Sequence, residues 1–287
     1  LKRFLKKYYL EFAFILPLTL YILGFTILPI SKTIWMSFQD PTTGRWGLSV
    51  YRELFRRPDF VRSIFHTVVV TLIELTIQMT LGLLIAMALK QDFKGKGLAR
   101  SLVLLPMGVP TLVAGVALIY IFGTQGYLNE LLFQLGFIKT PVYWTSGGIK
   151  SLFTIAFADS WKVMPMVVLL FLAGLESIPS EIYEAGSIDG ATKLQSFRHI
   201  TLPLLKPTVT MVILLRAVDV FRIFELPLIL VGRATPFLAT FAYDEYRAYN
   251  NLHASAAAST VLLICIILFM YLYFRYVDKG GAFGNGK

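Results

Sequence analysis

The chain of 287 residues is 56% apolar and only 15% charged, with a mean hydropathy of +0.67, a balance that excludes a soluble globule and indicates a polytopic membrane protein. Its formal net charge of +10 is spread over several connecting segments and not gathered on one soluble module, which points to lipid headgroups and argues against nucleic acid as a partner. The one cysteine, Cys265, excludes a disulfide framework.

Six apolar segments are predicted to cross the bilayer, at approximately 10–34, 64–89, 101–123, 151–175, 204–231 and 254–275. Each is long enough to span about 30 Å of hydrocarbon at about 1.5 Å per residue. The first follows Lys2, Arg3, Lys6 and Lys7 and imitates a secretory signal, but its apolar run continues past Pro17 to Pro29 without a small-residue cleavage site. It therefore reads as a retained span. The next loop carries Arg45, Arg52, Arg56, Arg57 and Arg62. In the second span, His66 reads as a packed or hydrogen-bonded residue, and Glu74 has no sequence-local partner, so it is expected to bond across the bundle or to serve transport. Lys90, Lys94, Lys96 and Arg100 follow, on the side that six spans also assign to Arg275, Lys279, Lys287 and both termini. That side is expected to be cytoplasmic, although the arginines of the opposing loop narrow the charge difference.

Pro106 and Pro110 are expected to bend the third span, freeing carbonyls that a neighbour or a cavity must satisfy. On the fourth, Asp159 and Lys162 are three residues apart and read as an ion pair near its outer end. Between the fourth and fifth spans, residues 176–203 are polar and helix-punctuated. Ser180 is a candidate cap for a short helix that opens with Glu181 and Glu184, and Gly190 supplies a left-handed residue to end it. Thr192 and Gln195 form a capping box for a second helix, which Pro203 stops or converts into the next span.

Within that loop the run EAGSIDGATKLQSFRHITLP places Glu184, Ala185, Gly190, Ile200, Leu202 and Pro203 at the spacing of the EAA loop. The chain resembles the membrane subunits of ATP-driven, binding-protein-dependent importers that carry this loop. Gly186 departs from the pattern, which has a second Ala there, and lowers helix propensity by roughly 1 kcal/mol. Trp161, Lys162 and Pro165, then Ala173, Gly174, Leu175, Ile178 and Pro179, resemble the context found in carbohydrate permeases, as do Gly126 to Asn129. The resemblance implies an all-α, six-helix transmembrane bundle forming one permease domain over 1–287, with a cytoplasmic coupling helix. Glu181, Tyr183, Glu184, Ala185, Gly186, Asp189 and Gly190 would then couple it to an ATPase dimer. The implied partners are that ATPase, a second permease subunit and an extracytoplasmic sugar-binding protein, with ATP and magnesium held by the ATPase and no cofactor by this chain. The run from Asp219 to Glu225 looks especially like trehalose-type permeases.

In the fifth span Arg216, Asp219, Arg222 and Glu225 recur at steps of three. At about 2.5–3.5 kcal/mol per charge facing lipid they would together cost roughly 10 kcal/mol. Pairing of Arg216 with Asp219 and of Arg222 with Glu225 offsets part of that. Each step turns the position by about 60 degrees, so only some of the charges line one cavity. Asp219, Phe221, Arg222, Phe224 and Glu225 are candidates for a sugar path, aromatic faces for the ring and charged groups for hydroxyls; ion pairs and aromatic core packing are the competing reading. Catalysis is not indicated, because no phosphate loop and no convergent metal or nucleophile set occurs among His66, His199 and His253. Permeases for other substrate classes, such as amino acids, phosphate and metals, share the loop and are the alternative within the resembled family. A secondary transporter or channel would share the spans and the buried charges but has no need of the two-helix loop, and a membrane enzyme would need a catalytic set.

Overall fold

Long runs of apolar residues leave every backbone polar group to be satisfied within its own segment, and helix is the structure that does so. The computed structural model describes residues 8–277, whose regular elements are all helices, with one isolated bridge between Gln39 and Trp46. The basic residues Lys2, Arg3, Lys6, Lys7, Lys279 and Lys287 lie outside the described residues. Helix α1 (Tyr9–Ser37) is continuous through a π turn at Leu23–Ile27. Then follow α2 (Ser49–Arg56), α3 (Pro58–Lys90), α4 (Lys96–Leu104), α5 (Thr111–Phe122), α6 (Tyr127–Gln134), α7 (Gly148–Glu176) and α8 (Ser180–Ile188). The chain closes with α9 (Lys193–Ser196), α10 (Leu202–Phe221), α11 (Glu225–Leu230), α12 (Leu238–Arg247) and α13 (Leu252–Tyr276).

Among the described residues, five segments are long and apolar enough to cross a membrane: α1, α3, α5 with α6, α7 and α13. The fifth expected span differs from its prediction. It starts earlier, because α9 runs through a π turn at Phe197–Thr201 into α10 and Pro203 does not stop it. It also ends earlier, at Phe221 and not 231. Pro227 has no N–H for the carbonyl of Ile223 and its ring would clash there, so the chain leaves the helix at Arg222 to Phe224 and restarts as α11. The third expected span is broken, not bent. Pro110 disfavours a helical Val109, which is extended at φ −86°, ψ 125°, and a short 3-10 turn at Leu105–Gly108 separates α4 from α5.

Three apolar cores are stacked along α3, which at about 1.5 Å per residue sets the length of the molecule. Phe60, near its start, packs with Leu54 of α2, Leu238 and Phe241 of α12 and Ala257 of α13. Val70 belongs to the middle core with Phe122, Ile155, Val220 and Leu226. Ala86 and Leu89 join Val167, Phe171 and Leu205 at the far end. Glycines allow the closest helix approaches. A Cβ on Gly82 of α3 would stand 2.6 Å from Val167 Cγ1, and one on Gly174 of α7 would stand 2.5 Å from Thr208 Oγ1.

The two ends of α3 carry different loops. At its start, Arg57 pairs with Glu245 of α12 at 2.8 Å, the His66 ring donates from Nδ1 to the Pro236 carbonyl at 2.9 Å, and Leu238 N–H donates to Thr67 Oγ1 at 3.0 Å. Residues 40–62 and 233–250 therefore share one end. The segment 176–203 meets the opposite end, where Lys90 closes α3.

Candidate functional site

Two regions carry the predicted functional residues, the loop at the end of α3 and a charged cavity beside α10. In the loop, Pro179 occupies the cap position of α8 in extended conformation and no side chain caps the helix. Ser180 is its first helical residue, not its cap, and Glu181 alone lies in the first turn, with Glu184 one turn on. The other end follows the reading closely. Gly190 is left-handed at φ 79°, Ala191 N–H donates to Gly186 O at 2.9 Å and Gly190 N–H to Ser187 O at 3.1 Å, the bonds of a Schellman close. Thr192 N–H then donates to Gln195 Oε1 at 2.7 Å and Gln195 N–H to Thr192 Oγ1 at 3.4 Å, which opens α9.

The faces of α8 are sharply divided. Glu184, Ala185 and Asp189 are exposed, and Ile188 is 86% exposed, an apolar side chain with no cover from its own chain. Tyr183 turns inward, with its hydroxyl 3.2 Å from Thr201 Oγ1. Gly186 faces Ile200, whose Cδ1 would be 2.8 Å from an added Cβ.

The cavity has a volume of about 320 Å³ and lies where α5, α7, α10 and α11 converge. Its charged lining consists of Asp159, Lys162, Arg216, Asp219, Arg222 and Glu225, three anions against three cations. Arg216 is 4% exposed and organises the set. Its guanidinium donates to Gln78 Oε1 at 2.9 Å, to Asp219 Oδ2 at 3.0 Å and to Asp159 Oδ2 at 3.3 Å. Arg222, at the helix break, donates to Asp219 at 3.2 Å. The expected pairing of Arg222 with Glu225 does not occur, because the chain has left the helix between them and the three-residue spacing no longer sets their positions. The expected pair of Asp159 and Lys162 is also replaced. Asp159 turns to Arg216, and the Lys162 ammonium donates to Thr111 Oγ1 at the broken third span.

Phe224 lines the same cavity and meets Tyr243 edge to face at 5.0 Å. Phe221 is not brought to it; the ring is buried and packs on Phe269 at 5.7 Å. Glu74 is fully buried, accepts from Gln78 Nε2 at 3.4 Å, and has Oε1 without a hydrogen-bond partner. Gln78 and Thr111 were not singled out from sequence. For Gln78 a signal existed, an amide one turn from Glu74 in an apolar run, whereas nothing local marks Thr111. A larger cavity of about 590 Å³ beside Phe122, Phe153 and Phe157 is walled almost wholly by apolar groups and offers little to a polar ligand. The three histidines each spend a ring nitrogen on a backbone carbonyl, of Pro236, Gln195 and Met36.

A family model described as the inner membrane component of binding-protein-dependent transport systems matches residues 78–280. The chain belongs to that family. The match takes in the loop, the cavity and every span from the middle of α3 onward. Among curated relatives, the trehalose/maltose transport system permease protein MalF of Thermococcus litoralis is 34% identical over 277 residues, covering 93% of this chain and 92% of the relative. The arabinooligosaccharides transport system permease protein AraP of Bacillus subtilis is 33% identical over 276 residues, covering 92% and 87%. Among solved structures, a bacterial alginate ABC transporter in complex with an alginate pentasaccharide-bound periplasmic protein superposes with a TM-score of 0.81 at 23% identity, over 98% of this chain and 99% of the other. At that identity the likeness is one of fold. Members of the family are multi-pass membrane permeases, and no catalytic step is assigned to this chain.

Proposed function

We propose that the chain is one half of the transmembrane heterodimer of an ATP-driven, binding-protein-dependent sugar importer, and that the charged cavity passes a neutral disaccharide such as trehalose or maltose. The observation that carries this reading is the composition of that cavity. Three cations and three anions line an opening edged by Phe224, with Arg216 and Arg222 paired to Asp159 and Asp219, so no net charge selects an ionic cargo. Paired charges donate and accept strong, directional hydrogen bonds with hydroxyls, and an aromatic ring covers an apolar sugar face. The names of the relatives in Thermococcus and Bacillus support a saccharide.

In this reading α8 lies in a groove of a separate cytoplasmic ATPase, which holds ATP and magnesium, while this chain holds no cofactor. The exposed Ile188, Glu184 and Asp189 form the docking face. Closure of the ATPase dimer displaces α8 and shifts the bundle from one access state to the other, toward a sugar-loaded binding protein at the far end. The two termini share the side of α8, the loops 40–62 and 233–250 meet the binding protein, and residues 1–287 act as one transmembrane domain. The test is uptake of radiolabelled trehalose and maltose by complexes reconstituted with the ATPase and the binding protein. Phe224→Ala and Arg222→Gln are expected to weaken uptake while assembly is kept. Wild-type uptake in both variants, or failure of both to assemble, removes these residues from the path. A Glu184→Lys complex that keeps normal uptake and normal stimulated ATP hydrolysis removes the docking role of α8.

A further inference from the structure

One ammonium group ties α8 to the bundle. Lys90 is the last residue of α3, and its Nζ donates to the Leu175 carbonyl of α7 at 2.8 Å. The same Nζ stands 4.7 Å from the centroid of the Tyr183 ring on α8. The Tyr183 hydroxyl meets Thr201 Oγ1 at 3.2 Å, in the π turn that enters α10. Lys96 Nζ steadies the junction, donating to the Lys90 carbonyl at 3.2 Å and pairing with Asp92 at 3.0 Å.

The contacts suit a relay. The carbonyl of Leu175 belongs to the last turn of α7, where helix carbonyls lack intrahelical partners and the dipole favours a cation. Helix α8 has nine residues, too few to hold its own shape without tertiary contacts, and the exposed residues of its free face leave Tyr183 and Gly186 to face the bundle. Two of the helices that converge here, α7 with Asp159 and Lys162 and α10 with Arg216 and Asp219, also wall the charged cavity. The third, α3, reaches it through Gln78, which accepts from the Arg216 guanidinium at 2.9 Å. At about 1.5 Å per residue, Gln78 lies roughly 18 Å from Lys90 along α3, and Arg216 roughly 22 Å from Thr201 along α10. Each is joined to the junction by continuous helix.

We propose that Lys90 is the positioning residue through which displacement of α8 reaches α3 and α7 and, by way of Tyr183, α10. The inference rests on the reading of α8 as the docking helix. Its hydrogen bond fixes the two span ends to each other, and its contact with the Tyr183 face holds the ring against them while the ring slides.

The experiment uses the complex purified with its ATPase, and the binding protein purified with the sugar it carries from the cell. Coupling between sites is reciprocal, so the fold stimulation of ATP hydrolysis by the binding protein reads the relay whatever that sugar is. Lys90→Met keeps most of the stem and removes the cation. It is expected to lower the stimulation by roughly threefold to tenfold, the range that one net hydrogen bond or a partly exposed cation–π contact sets in an equilibrium, with the copurified ATPase undiminished. Lys90→Arg, which still donates to a carbonyl and stacks on a ring, is expected to restore it, and Tyr183→Leu to match Lys90→Met. Wild-type stimulation in Lys90→Met overturns the proposal. So does a loss that Lys90→Arg leaves unrepaired, since a packing role would then suffice. Glu184→Lys separates the two readings. If it uncouples while Lys90→Met does not, the relay alone fails; if it too behaves as wild type, the docking role of α8 fails and the relay with it.

Discussion

Arg216 shows how a membrane helix carries charges without exposing them. Its guanidinium has a fork of donors and each branch meets an acceptor, Gln78 on one neighbour, Asp159 on another and Asp219 on its own helix. Removing the guanidinium leaves Asp159, itself only 16% exposed, without its ion pair. Arg216→Ala is therefore expected to destabilise the purified complex by about 3–5 kcal/mol, read as a lowered Tm and poor yield. Arg216→Lys restores little, because one ammonium does not reproduce the fork. Arg222 is mostly exposed, with an ion pair to Asp219 and a hydrogen bond to the Val218 carbonyl. Arg222→Gln is expected to change stability by less than about 1 kcal/mol, so any loss of uptake reports on the path itself.

Asp40 gives a pH prediction outside the spans. Its carboxylate accepts from the Thr42 hydroxyl at 2.6 Å, from the Thr42 and Thr43 amides at 3.0 and 2.9 Å, and from the Ser49 hydroxyl at 2.8 Å. Bonds to the charged form, the Thr42 hydroxyl foremost, hold its pKa well below the ordinary carboxylate range. A depressed folded pKa means that the stabilisation is present above the unfolded value and lost as pH falls toward the folded one. Protection of the Thr42 and Thr43 amides from hydrogen exchange is thus expected to be constant from about pH 8 to 5, and Asp40→Ala to lose it throughout that window.

Among the helices, packing is set by how near two backbones come, and two glycines make opposite predictions. A Cβ on Gly174 meets Thr208 Oγ1, Thr208 Cγ2 and Leu205 Cδ1 at 2.5, 2.7 and 2.9 Å. Thr208 is β-branched and stiff in a helix, so α7 and α10 must separate. Gly174→Ala is expected to cost about 1–3 kcal/mol and to depress the Tm of the complex. At Gly186 the one close approach of the added Cβ is to the terminal Cδ1 of Ile200, with Ala191 Cβ at an ordinary 4.0 Å, and a rotamer change of Ile200 removes it. There the helix propensity of Ala, about 1 kcal/mol better than Gly, decides the sign, and Gly186→Ala is expected to match or exceed the wild-type Tm. The result would explain why the resembled loop tolerates Ala at this place.

The molecule as a whole is incomplete on one side. The apolar window of α1 has none of its residues buried within the chain, and its Phe14 and Phe25 are widely exposed. Lipid or a second subunit must cover that surface, since water would not tolerate it. The two ends are distinguished by their loops, which makes orientation measurable. In a Cys265→Ser background, Arg45→Cys and Tyr246→Cys are expected to react with an impermeant thiol reagent in intact cells, and Ser187→Cys only after lysis. The opposite pattern would invert the orientation.

Local chemistry was readable from residue order. Hydropathy located the first, second, fourth and sixth expected spans to within a few residues, because burial in lipid depends on composition along one segment. The Gly190 close and the Thr192 box were readable because capping bonds join residues within a turn or so of one another. Pro110 marked a break that the prediction of a bent third span underestimated, and Pro227, which breaks the fifth, was passed over although its position was there to read. Partners between segments were not readable. Arg216 joins Gln78 across 138 residues, Lys162 joins Thr111 across 51, and Lys90 joins Leu175 across 85. Sequence spacing on one helix had assigned Arg222 to Glu225 and Lys162 to Asp159. The helix break at Arg222 to Phe224 undid the first pair. Helix packing undid the second, because a charge within a span takes the acceptor that a neighbouring span brings within hydrogen-bonding distance, and only the tertiary fold determines which span that is.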